Sequence, residues 1–242
     1  FVGPVRPLSR LYAENGRAMN LRDLVAPFWM AGRRLTGAGR APAGAFRILM
    51  FHGIPRERSG DFARLIDRLV AGPGIIDPEE AARRIGGSLP AGDAGRQPVL
   101  ISFDDGFASN GQVALDILVP RGIRALFFVC PALIDLVGAA QKEAVLRQVF
   151  RGRRPASPIE PMLDWDGIGK LLDGGHVIGA HGMNHRRLAG LSAEALEEEV
   201  GGAQAALSSR LGVAPDWFAY PFGDIGAIDA AALDAIGARF RF

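Results

Sequence analysis

Two adjacent carboxylates, Asp104 and Asp105, close a short apolar run and precede Gly106 in VLISFDDGF (99–107). Removing two acids from water costs several kcal/mol unless a cation or hydrogen-bond donors receive them. The pair therefore points to chemistry more than to packing, although either acid taken singly could cap a helix. Of the four histidines, His181 and His185 form an i,i+4 pair in HGMNH. On a helical turn that spacing puts both rings on one face, close enough to share a metal. Two imidazoles and one carboxylate make a three-ligand set with an open position, which can hold water and lower its pKa to about 7. If one aspartate binds the metal, the other can take the proton from that water as general base.

Two further stretches carry candidates. His52 ends the apolar run FRILMF (46–51) and reads equally well as a core histidine and as a catalyst. In FAYPFGD (218–224), Pro221 and Gly223 make a tight turn whose backbone N–H groups could face a site and stabilise an oxyanion. An ordinary turn is the simpler reading of that stretch by itself. His176 begins its strand and is assigned no role, and Cys130 reads as a small buried hydrophobe.

These residues need elements to position them. Val99–Phe103 has the pattern of a strand covered on both faces, and Gly106 lets the chain turn away after the acids. Further strands are expected at 46–51, 125–129, 176–180 and 217–220, with a last one starting at 239. Helices are expected at 61–70, 78–85, 112–119, 134–150, 164–172 with Asp164 as cap, 191–211 opened by Ser192, and 228–236. Gly86–Gly95 reads as a loop. Strand and helix alternate about five times, which argues for parallel strands with helices outside. His52, Asp104–Asp105, His181 and Tyr220–Pro221 each follow a strand's carboxyl end, and in parallel α/β folds those ends converge on one face.

The 242 residues, 48% hydrophobic and 22% charged, suit an ordinary globular protein with a sizeable core. A net charge of +2 gives no argument for nucleic acid. No apolar run approaches a membrane span, and one cysteine excludes an internal disulfide. Residues 1–45 are rich in Arg, Gly and Pro and read as a linker or N-terminal segment, with a possible helix over 21–35. The catalytic domain is expected over 46–242. The sequence starts at Phe1 and stops within what reads as a strand, so its natural ends are expected to lie beyond it.

SFDDG, HGMNH and FAYPFG, in this order and spacing, resemble the motifs of NodB-type polysaccharide deacetylases, carbohydrate esterase family 4. ALFFV, GGHVIGAHGMNH and LSAEALEEEV add to the likeness, which covers roughly 46–242. The resemblance implies an α/β fold, a distorted (β/α) barrel, here reading as truncated at the C-terminus. It implies metal-dependent removal of acetyl groups from a glycan. Carried over by position, Asp104 is the general base, and Asp105, His181 and His185 bind a divalent metal, zinc first, with cobalt or nickel suiting the same ligands. The Phe222 N–H helps hold the oxyanion, and Tyr220 and Pro221 shape the sugar pocket. Ala219 stands where many members have an arginine, and no late general-acid histidine is present. Both departures resemble the branch that deacetylates poly-N-acetylglucosamine, in which an early strand-end histidine serves as acid. FHGI, with His52, is similar to that early motif.

The resulting expectation is an N-deacetylase of N-acetylglucosamine-containing glycans, in the cytoplasm or the periplasm and cell envelope, with no nucleic-acid partner and no stable membrane span. The alternatives are a carbohydrate-binding pseudoenzyme and a metal-dependent hydrolase of another non-peptide C–N bond.

Overall fold

The computed structural model describes residues 44–87, 97–155, 157–212 and 214–242. The expectations for 1–43, including the helix over 21–35, and most of the loop over 86–95 lie outside the described residues. Five parallel strands form one sheet: β1 (Arg47–Phe51), β2 (Ile75–Ile76), β3 (Val99–Phe103), β4 (Leu126–Val129) and β5 (Val177–Ala180). The path runs β1-β3-β4-β5, and β2 pairs with Val99 and Leu100 of β3. Helices fill the connections, which is the α/β alternation expected from the sequence.

β3 is buried along its whole length, as a strand of VLISF covered on both faces must be. β1 differs: Ile48 and Met50 are exposed. The core beneath the strands' carboxyl ends is aromatic. Phe103 stacks on Phe127 with centroids 4.7 Å apart, and Phe51 meets Phe62 edge-on at 5.1 Å. A second apolar cluster of Phe107, Cys130, Leu133, Ala144, Val145 and Met162 lies beside it.

The helices start where side-chain caps predict. Asp77 accepts from the Glu80 N–H at the head of Pro78–Ile85, Asp164 from Gly167 at Trp165–Asp173, and Asp229 from Ala232 at Ala230–Gly237. Ser192 likewise accepts from Ala195.

Several sequence expectations need correction. The helix over 112–119 begins earlier, at Ala108, and passes through a π turn (Ala114–Leu118) before Pro120 enters a closing 3-10 turn. The helix over 134–150 is two, Pro131–Ile134 and Gly138–Gln148, broken before Gly138, whose φ is 60°. The long helix over 191–211 is split by a π turn at Glu197–Gly202, which contains two glycines. The strand over 217–220 reduces to one parallel bridge, Ala180 to Phe218, because Pro221 has no N–H to carry the ladder onward. The strand starting at 239 is absent as well: Arg241 and Phe242 donate to the Asp216 carbonyl and the Phe242 carbonyl accepts from the Phe218 N–H, with no ladder beyond these bonds. Among the described residues no helix is long and apolar enough to cross a membrane.

Candidate metal centre and active site

The three sequence-predicted ligands meet. Asp105 Oδ1 lies 3.2 Å from His185 Nε2 and 3.6 Å from His181 Nε2. One donor atom from each residue lies within 4.8 Å of the other two, and all three residues are buried. The backbone brings them there in different ways. β3 delivers Asp104, whose N–H donates to the Phe51 carbonyl, and the chain then turns at Asp105 with φ 70° and Gly106 with φ 86°. A Cβ on Gly106 would come within 3.0 Å of Val129, so only glycine fits that turn. His181 extends β5, its N–H donating to the Val129 carbonyl.

The histidine pair does not sit on a helical turn. Residues 181–185 form a loop, with Gly182 at φ 75° and His185 at φ 59°. The rings nevertheless meet edge-on, centroids 4.9 Å apart. Glu199, fully buried, gathers the loop by accepting from the Asn184 N–H (3.0 Å), the Asn184 side-chain amide (3.0 Å) and the Arg186 N–H (3.4 Å). A Cβ on Gly182 would meet the Glu199 carboxyl group at 2.9 Å.

The geometry fits a cation. Both Asp105 oxygens are buried and have no hydrogen-bond partner, an arrangement that is costly without a positive charge. His181 Nδ1–H donates to the Ala219 carbonyl at 2.7 Å, and His185 Nδ1 faces the Gln148 carbonyl at 3.3 Å. Each backbone oxygen fixes its ring so that Nε2 points at Asp105 as a free donor. Burial, with His185 beside it, pushes the His181 imidazolium down to about 4. The ring is therefore neutral, as a ligand must be, near pH 7.

The two acids are set apart by their surroundings. Burial, and then the neighbouring Asp105, raise Asp104 to about 7. Burial would also raise Asp105, but the His185, His181 and His52 rings that face it outweigh burial and hold Asp105 below the usual range. Environments that divide two carboxyls in this way favour an ionised one and a proton-accepting one.

A cavity of about 450 Å³ opens over this centre, lined by His52, Asp104, Asp105, His181, His185 and Phe222 among others. His52 Nε2 is 4.0 Å from Asp105 Oδ2, and its side chain is 57% exposed. Phe222 packs its ring edge-on against His185, centroids 4.6 Å apart, and takes φ 72°. Tyr220 and Pro221 do not line the cavity: the Tyr220 hydroxyl donates to the Gly223 carbonyl within its own turn, and Pro221 is buried. His176 is buried at the far end of β5, where its Nδ1 accepts from the Ala125 N–H, and Cys130 is fully buried.

Two residues escaped the sequence reading. Glu160 lines the cavity and accepts from the Ser109 N–H, while Ser109 Oγ accepts from the Ile54 N–H. Its carboxyl group also fills the space a Cβ on Gly53 would need. Glu199 left a sequence signal: Leu196, Val200, Ala203 and Leu207 recur at helical spacing, and Glu199 interrupts that apolar face.

A family model described as polysaccharide deacetylase matches residues 91–240. No curated protein sequence matches the chain. Among solved structures, IcaB from Ammonifex degensii is similar at 21% identity, with 82% of each chain covered and a TM-score of 0.63. The Streptococcus pyogenes deacetylase PplD in complex with acetate is similar at 20% identity, with 81% of each chain covered and a TM-score of 0.61. The BpsB deacetylase domain from Bordetella bronchiseptica is similar at 17% identity, over 83% of this chain and 88% of that one, with a TM-score of 0.59. At these identities the likeness shows the fold, and the fold is the distorted (β/α) barrel type expected from the motifs.

Proposed function

The chain belongs to the polysaccharide deacetylase family, and from that premise we propose that it hydrolyses the N-acetyl groups of an N-acetylglucosamine-containing glycan over the Asp105–His181–His185 centre. Membership makes the chain a deacetylase hydrolase. The single observation that carries the finer reading is the pair of orphaned Asp105 oxygens facing two oriented imidazole nitrogens. Asp105, His181 and His185 would hold a divalent cation, zinc suiting the nitrogen-rich donor set. Such a cation supplies Lewis-acid polarisation of the acetyl carbonyl and acidifies water.

The chain's own groups supply the proton transfers. Asp104, raised to about 7, takes the proton of the attacking water near neutral pH. The Phe222 N–H, on a turn whose residue lines the cavity, donates to the developing oxyanion. His52, at the end of the strand beside the one that carries Asp104, lines the same cavity and protonates the leaving sugar amine. Phe107, Phe150 and Ile159 line the same space and exclude water from its apolar side.

The experiment is acetate release from N-acetylglucosamine oligomers by the metal-supplied protein, with bound metal quantified alongside. Asp104→Asn should keep the metal and lose about 10²- to 10⁴-fold in kcat, the range of a general base. Acetate release at the wild-type rate by Asp104→Asn would overturn the scheme.

A further inference from the structure

A second depression, of about 500 Å³, adjoins the first. Arg147, Arg151, Arg186 and Arg187 rim it, and His185 and Phe222 line both spaces. An anion seated there would be one residue's thickness from the metal centre. Arg187 donates to both Asp224 oxygens and to the Gly226 carbonyl, whereas the acids that face the other three arginines stand farther off. Glu143 is 4.0 Å from Arg147 and Glu198 is 3.8 Å from Arg186. Asp224 is shared between Arg151 at 3.8 Å and Arg187 at 3.3 Å. Three carboxylates thus stand against four guanidinium groups. Arg187 apart, the separations are those of loose, exposed pairs, which contribute little and exchange easily.

Arg151 is the best organised of the four. Its guanidinium lies over the Phe222 ring, 3.8 Å from the centroid. Stacking leaves the planar N–H edge available for a two-point grip on a phosphate or carboxylate. The charge also argues against the simplest substrate. Deacetylation turns a neutral amide into an ammonium group, so a neutral homopolymer becomes cationic as it is processed. Such a product would meet like charge along this rim, whereas an acidic chain would complete the missing negative charge.

We propose that the Arg147–Arg151–Arg186–Arg187 depression holds an anionic substituent of the glycan chain, which makes the substrate an acidic N-acetylated glycan. This rests on the deacetylase reading of the adjoining site. The shared chemistry is a phosphate ester or a carboxylate near the sugar that loses its acetyl group.

The test is a binding titration of the metal-supplied protein with three probes of equal length: a neutral N-acetylglucosamine oligomer, its phosphate ester and a carboxylate-bearing analogue. At about 50 mM salt an acidic oligomer should bind about tenfold more tightly than the neutral one, and the gap should close at about 0.5 M salt. The double variant Arg147→Gln/Arg151→Gln should lose the preference and keep its affinity for the neutral oligomer. A tighter phosphate arm identifies a phosphoglycan, and a tighter carboxylate arm a uronic or lactyl acid. Equal binding of all three probes, or a preference that survives in the double variant, overturns the proposal. Acetate release is scored separately, so an anion preference without hydrolysis would count against the deacetylase reading of the site and leave the anion site standing.

Discussion

The two walls of the cavity are built on opposite terms. On one wall, His181 and His185 are almost wholly buried, their rings set by backbone carbonyls and their loop clamped by the buried Glu199. On the other, His52 is more than half exposed and reaches Asp105 only at 4.0 Å. The first wall is costly to desolvate and rigid, as a cation site needs to be. The second is solvated, as suits a group that must collect protons from water between turnovers. With the roles proposed above, the difference keeps cation binding and proton delivery physically separate, so substitutions should separate them too.

The largest effect should come from the rigid wall. Asp105→Ala or His181→Ala should abolish metal retention and lower acetate release by more than about 10³-fold. Metal content after dialysis measures this, and a variant that kept its metal would show that the ligand set is misassigned. Next, His52→Ala should lower kcat by about 10²-fold with no change in metal content or melting temperature. A parallel fall in stability would erase the contrast between the walls. Third, Glu199→Ala should weaken metal affinity by about tenfold. It should also cost about 2 kcal/mol by leaving the Asn184 and Arg186 N–H groups unpaired. Metal titration and thermal unfolding read the two effects, and Glu199→Gln, which keeps an acceptor, should recover part of both.

The last effect concerns Asp104 and pH. Its acid is raised from 3.8 to about 7 in the folded chain, so between those values the folded state binds more protons than the unfolded one. Stability therefore falls as pH rises through that window, by on the order of 4 kcal/mol at most. In the metal-free protein at pH 8, Asp104→Asn should melt several degrees higher than wild type, and near pH 4 the two should coincide. The same group gives activity an acidic limb, since Asp104 must be ionised to accept a proton. A wild-type melting temperature that did not fall between pH 4 and 8 relative to the variant would mean that Asp104 is not held in the neutral form.

Much of this was legible in the residues. VLISF ends in two acids, and such a strand has few physical uses; β3 and its Asp105 lie where that pattern demanded. The strand-end positions of His52 and His181 also place both at the cavity that Asp104 and Asp105 line. The HxxxH spacing brings the two rings together, but not for the reason the spacing suggests. No helix sets the rings; a left-handed His185 and a distant Glu199 do, and neither can be read from a five-residue motif. The strand over 217–220 misled because FAY looks like β-structure alone, while Pro221 and the left-handed Phe222 end the ladder almost where it begins. Glu160 and Glu199 were missed because an acid's partners here are backbone N–H groups far along the chain.

Among the described residues, four that are not glycine have positive φ: Asp105, Arg151, His185 and Phe222. Two are metal-ligand candidates, one lines both cavities and the fourth stacks on it. Glycine would rest at ease in each place, and each departure from it costs on the order of 1 kcal/mol or more. These four positions carry a carboxylate, an imidazole, a phenyl ring and a guanidinium instead, so the backbone strain of the described residues is gathered around one pocket and its rim.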